Sequence, residues 1–272
     1  MKKMILAFSG ALLLGHQGYA QTTSPDLTSE KKIQAGLSLT GGMLFSNFET
    51  NAIKTNGVGG LFGLGFGANI NMNNNIGIFT GLEFHFERFG YQPNNTVFFY
   101  DFNDKDIILN KDANEITAEG TMRLTERRQN TVAANIPLML LFRTNMIGYF
   151  RYFGKFGLRN SILLRQRVTD VGTVVGAIEQ SKLEGMRARN DMFFFRSAGG
   201  VSAGAEWNFA ATTSLSFELG YYYGFTPLFS GNGTANRRNS SLYELNTDPN
   251  ERTYRSFKAS QSVFEVKAIL LF

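Results

Sequence analysis

From Ile33 to Phe272 apolar side chains recur at every second position, in run after run. A period of two is the signature of a strand with one apolar face, since successive side chains point to opposite sides of a sheet. Eight such runs are read, at about 33–46, 58–72, 76–90, 131–143, 149–167, 192–209, 213–226 and 257–272. Their apolar faces carry, for example, Phe62, Leu64, Phe66, Ala68, Ile70 and Met72, or Leu215, Phe217, Leu219, Tyr221, Tyr223 and Phe225. No position on the eight apolar faces is charged.

The interleaved positions decide which way the sheet faces. They are mostly Gly, Ala, Ser, Thr and Asn, with a small balanced set of charges: Glu83, Arg151, Lys155, Arg159, Glu206, Glu218, Glu265 and Lys267. A soluble barrel would carry more charge on its non-apolar face. Small residues suit the narrow interior of an eight-stranded barrel, which side chains fill. Balanced charge suits a closed space, where each ion needs a partner. A charge facing lipid at the bilayer centre costs roughly 2–4 kcal/mol, which explains its absence from the apolar faces. A sheet edge left open in lipid would strand unsatisfied amides, so the sheet closes. The expected fold is all-β: an eight-stranded antiparallel up-and-down transmembrane β-barrel of the outer-membrane type.

The links between runs support that reading. Those at 47–57, 91–130, 168–191 and 227–256 are long and polar; those at 73–75, 144–148 and 210–212 are short. Outer-membrane barrels have short periplasmic turns and long external loops. An even strand number then puts both chain ends in the periplasm. Tyr149, Tyr152, Trp207 and Phe272 fall near the short-turn ends, where an aromatic girdle is expected. Pro137 lies inside the fourth run and cannot donate to a ladder, so a bulge, or a strand in two pieces, is expected there.

Ahead of the barrel, residues 1–20 read as a signal peptide, with Lys2 and Lys3, an apolar stretch over Met4–Leu14, and Gly18-Tyr19-Ala20 before the cleavage point. Residues 21–32 read as a periplasmic lead-in, and 33–272 as one barrel domain. The net charge of +5 falls to +3 without Lys2 and Lys3, too weak and too mixed to indicate nucleic acid. With no cysteine, and only His85 remaining after cleavage, thiolate metal sites, disulfides and most His-based catalysis are excluded. No phosphate-binding loop or nucleophile elbow is found, because the Gly-x-Gly pairs follow strand alternation with no helix after them. No cofactor is expected.

Several motifs resemble a known family. "NIPLMLLFR" at 135–143, "YFGKFGLRNSILLR" at 152–165, the Gly-alternating second strand and the ending "FEVKAILLF" are similar to the PorT-like outer-membrane β-barrel family of Bacteroidota. The likeness spans roughly residues 33–272. It implies an integral outer-membrane barrel; the link to type IX secretion belongs to the family's namesake. It also implies that Phe272 is the terminal aromatic read by the barrel assembly machinery.

Functional candidates follow from the inward face. Glu83, His85, Lys155, Arg159, Glu206, Glu218, Glu265 and Lys267 are expected to form a lumenal polar network. Glu83, His85 and Glu87 share one strand face, the spacing of a metal or acid–base site, or else of a lumenal cluster paired with Arg159 or Lys155. The Gly63, Gly65 and Gly67 run leaves room for a long side chain, with Arg159 the expected occupant. "TVFFYDF" at 96–102 either exposes a partner-binding surface or is buried where strands three and four continue as a hairpin. Arg123, Arg127, Arg128, Arg165 and Arg167 form a basic collar at the height of lipopolysaccharide phosphates, or an ordinary solvated rim. The expected role is structural or interaction-based, without enzymatic activity: an accessory subunit of an envelope or secretion complex, reaching a protein partner through its external loops. Passive transport of small solutes and lipid modification are the alternatives.

Overall fold

The computed structural model describes residues 32–108, 120–188, 191–210, 213–229, 241–245, 252–255 and 257–272. The expected signal peptide, and all of the lead-in except Lys32, lie outside them. Eight long strands form the wall: β1 (Ile33–Phe48), β2 (Gly59–Asn71), β3 (Ile76–Pro93), β4 (Thr121–Arg143), β5 (Phe150–Val174), β6 (Phe195–Ala210), β7 (Thr213–Gly224) and β8 (Ala259–Leu271). Each pairs antiparallel with the next. The ring closes between the first strand and the last, with Gly36 opposite Leu271 and Phe48 opposite Ala259. No edge is left in the wall, as hydrocarbon requires.

The apolar faces point outward. Phe66 is 65 % exposed and Leu37 50 %, whereas Glu83 is 1 % and Lys267 2 % exposed. This is the inverse of a water-soluble barrel and matches a wall solvated by lipid. At the short-turn end Asn73 closes the β2–β3 hairpin, its Oδ1 accepting from the amides of Asn75 at 2.9 Å and Ile76 at 2.7 Å. Phe150 and Trp207 stack at 6.5 Å on the outer surface near the same end.

Pro137 causes no bulge, and β4 is one strand. The missing proton interrupts the ladder toward β3: Thr80 pairs with Leu138 and Glu83 with Asn135, while Gly81 and Leu82 have no partner on β4 and keep those on β2, Gly67 and Phe66. The register is the same on both sides of the gap. Toward β5 the ladder runs through, with Pro137 opposite Arg159. The bulges in β4 and β5 lie elsewhere, between Leu124 and Glu126 and between Val132 and Ala133.

Structure continues beyond the wall at the long-loop end. β4 and β5 overrun their expected lengths and stay paired to Met122–Val174. The third strand does not follow: β3 ends at Pro93, and Asn95 takes a left-handed φ of 55°. A separate strand, Phe98–Asn103, pairs with β4 in its place. Tyr243–Leu245 and Arg252–Tyr254 extend that side, and Gln180–Met186 extends the other beside β5. Phe98 and Tyr100 are fully buried and Phe99 and Phe102 partly so, which places "TVFFYDF" largely within this cap.

The inward face therefore has two layers. In the wall it is polar: Glu83, His85 and Glu87 on β3. Above, it turns apolar: Phe89 and Tyr91 on the same strand, with Leu44, Met122, Leu124 and Val168. Phe229 joins this apolar layer, 5.7 Å from Tyr91 and 5.8 Å from Phe48, and Phe98 meets Phe257 edge-on at 5.4 Å.

Candidate functional site

The lumenal network is built strand by strand. Alternation turns Glu83, His85 and Glu87 of β3, Asn135 of β4, Lys155 and Arg159 of β5, Glu218 of β7, and Glu265 and Lys267 of β8 inward, and all are buried. Arg159 is the hub. It donates to Glu265 Oε2 at 2.6 Å, to Asn135 Oδ1 at 3.2 Å and to His85 Nδ1 at 2.5 Å. A guanidinium cannot accept, so His85 Nδ1 must. The imidazole then holds its proton on Nε2, 3.0 Å from Glu83 Oε2. Lys267 bridges Glu83 at 2.9 Å and Glu265 at 3.3 Å. Lys155 pairs with Glu218 at 2.6 Å and lies 3.7 Å from the Phe79 ring centre.

Two of the anticipated residues sit apart. Glu206 accepts from Ser214 Oγ at 2.8 Å and faces Arg151 across the β5–β6 ladder, away from the hub. Glu87 leaves the Glu83–His85 pair and binds Arg196 at 2.8 Å, with Thr131 donating to it at 3.1 Å. The three residues of the Glu83–His85–Glu87 motif thus do not converge on one point. The cluster meets Arg159, as expected, through His85, while Glu83 binds Lys267.

The glycine run makes room for β3, not for Arg159. A Cβ on Gly65 would lie 2.4 Å from the Leu82 carbonyl oxygen and 2.9 Å from Glu83 Cγ, and one on Gly63 would lie 2.7 Å from His85 Cδ2. Asn135, Arg196 and Gln261 were missed, although parity alone turns each of them inward.

A second buried cluster lies above the wall. Arg127, read as part of a basic collar, points inward and is fully buried. It grips Asp170 through two bonds of 2.9 and 2.8 Å, donates to Ser241 Oγ at 3.1 Å, and approaches Asp191 at 3.5 Å. The Ser241 amide and hydroxyl both donate to Asp191, at 3.1 and 3.0 Å. Burial pushes the Asp191 carboxyl above the ordinary aspartate value, against the pull of Arg127. This cluster ties β4 and β5 to two loop segments. Of the remaining collar residues, Arg123 and Arg165 are exposed, and Arg128 and Arg167 are half-buried.

Side chains thus fill the lumen, and a folded cap covers it at the long-loop end. A cavity of about 40 Å³ remains among the described residues, between Glu87, Arg159 and Arg196 below and Leu228 above. That is room for a water molecule or so, not a channel.

A family model described as an outer membrane protein beta-barrel domain matches residues 19–230. The chain belongs to that family. It is an integral outer-membrane barrel. No curated protein matches the chain. Among solved structures, this family member is similar to Ail, the attachment invasion locus protein of Yersinia pestis. Identity there is 11 %, covering 89 % of this chain and 100 % of that one, with a TM-score of 0.34. It is also similar to OprG from Pseudomonas aeruginosa, at 8 % identity, 90 % and 98 % coverage and a TM-score of 0.42. The outer membrane protease OmpT from Escherichia coli aligns at 11 % identity, 93 % and 99 % coverage and a TM-score of 0.34.

Proposed function

We propose that this barrel is a non-conducting, non-enzymatic scaffold of the outer membrane. It presents its folded cap to a protein partner, as an accessory subunit of an envelope or secretion assembly. The short-turn end and both chain ends face the periplasm, and the cap faces outward. The observation that carries the reading is that a closed, ion-paired interior is joined to an outer sheet that ends, among the described residues, in two short terminal strands. Gln180–Met186 borders that sheet on one side and Arg252–Tyr254 on the other. Such edges accept a further strand from another chain. Between β5 and the Gln180–Met186 edge the tip carries Ile178, fully exposed, and Val175. The resemblance to the PorT-like family points toward the secretion branch of the same role, and the closing Phe272 serves as the assembly signal.

The test is co-purification of the tagged full chain in mild detergent. Wild type should bring down a partner. Ile178→Glu with Val175→Glu should lose it while keeping the heat-dependent change in gel mobility of a folded barrel. Recovery of no partner by wild type, with an intact envelope after deletion, would sink the scaffold reading. In planar bilayers no stable current steps are expected; steps would favour solute transport instead. Lipid composition that changes with His85→Ala would favour an enzyme.

A further inference from the structure

On the outer wall the side chains change character at one height on β3 and β4, and one pair lower on β5. Outward positions on β3 run Phe84, Phe86, then Arg88; on β4 they run Ala134, Val132, Asn130, then Arg128. Phe86 is opposite Val132, Arg88 opposite Asn130, and Gly90 opposite Arg128, so the two sequences switch level with each other. On β5, Arg165 and Arg167 face Val132 and Asn130. On the outer-membrane reading, such a switch marks the level at which an apolar band meets a headgroup layer.

The boundary is not flat here. A groove of about 580 Å³ opens on the outer surface, reached by Phe62, Phe86, Arg88 and Arg128. Glycine keeps it open. Gly60 is the ladder partner of Arg88, and a Cβ there would meet nothing within 4 Å. Any larger side chain at Gly60 would occupy the space in front of Arg88. Phe62 and Phe86, 6.3 Å apart, form the apolar end toward the bilayer. No carboxylate among the described residues pairs with Arg88. Arg128 is held by Glu126 at 2.9 Å through one of its donors, which leaves others on the fork.

We propose that this groove binds the phosphorylated headgroup of a membrane lipid, with phosphate between Arg88 and Arg128 and the first part of the acyl chains on Phe62 and Phe86. Arginine matches phosphate in geometry and in charge. A free anion would use the two arginines but gain nothing from the two rings, so a lipid is the occupant that uses both ends. The assignment rests on the outer-membrane reading and adds a ligand class and a place to it.

The experiment is native mass spectrometry of the full-length barrel in detergent, titrated with diphosphoryl lipid A, with its dephosphorylated form, and with inorganic phosphate. Wild type should hold diphosphoryl lipid A, hold the dephosphorylated form far more weakly, and keep the lipid in millimolar phosphate. Two arginines near a headgroup, at roughly five-fold each, predict about a 25-fold loss for Arg88→Gln with Arg128→Gln. Gly60→Leu keeps both charges and should also weaken binding, by filling the groove. Arg255→Gln, a substitution at an exposed arginine in the cap, should change nothing. Equal binding of both lipid forms, displacement by phosphate, or wild-type affinity in the double variant or in Gly60→Leu would overturn the proposal. All these side chains point outward, so each variant should keep its heat-dependent gel shift. Absence of that shift in wild type would overturn the membrane reading instead.

Discussion

Arg159 holds four strands together through one planar group, contacting β3, β4 and β8 from β5. Removing one partner of a buried ion pair leaves the other uncompensated, at a cost of about 3–5 kcal/mol. Arg159→Leu should therefore lower the unfolding free energy, from urea titration of the folded fraction read by gel mobility, by up to that order, since Lys267 still lies 3.3 Å from Glu265. Asp191 gives a pH test in the cap. Its folded value is raised above the ordinary 3.8. Its contribution to stability is thus fully present below 3.8 and is lost as pH rises through the higher folded value. Hydrogen exchange at the Ser241 amide, corrected for intrinsic rate, should show protection falling across that window, and Asp191→Asn should abolish the trend. The lumenal residues were legible in the sequence because they alternate with apolar neighbours. Arg127 was not. Glu126-Arg127-Arg128-Gln129-Asn130 contains no apolar residue, so alternation persists in the backbone with no hydropathy signal to mark it.

At the level of elements, all eight strands were visible as period-two runs, and their observed ends differ most in β4 and β5. The overrun is held by backbone pairing and by the Arg127–Asp170 contact, neither of which hydropathy registers. Pro137 misled for a related reason: one lost proton suggests a bulge, yet neighbouring ladders on both sides hold the register. The glycine-rich β2 is an element shaped by its neighbour. At Gly65 the obstruction is the Leu82 carbonyl, which cannot move without moving β3. Gly65→Ala should cost about 1–3 kcal/mol, as overpacking does. Thermal loss of the fast-migrating folded form should occur at lower temperature than in wild type. The groove in front of Arg88 was invisible in sequence because it depends on Gly60, Arg88 and Arg128 meeting across three strands.

For the whole molecule, orientation is the claim with most consequences, and the absence of native cysteine makes it simple to test. Ile178→Cys at the cap should react with a membrane-impermeant maleimide on intact cells. Asn74→Cys in the β2–β3 turn should react only after the outer membrane is opened. The reverse pattern would turn the barrel over. Pairing between β1 and β8 has a different consequence. Neighbours in that seam, such as Gly36 and Leu271, lie almost the full chain apart, so the cylinder cannot be sealed until its final strand has been made and delivered. Everything synthesised before then carries greasy stripes with nothing to solvate them. A polypeptide built this way must be escorted in an unfolded form across the aqueous space it traverses, and its slowest step should be zipping that last seam rather than forming any single hairpin.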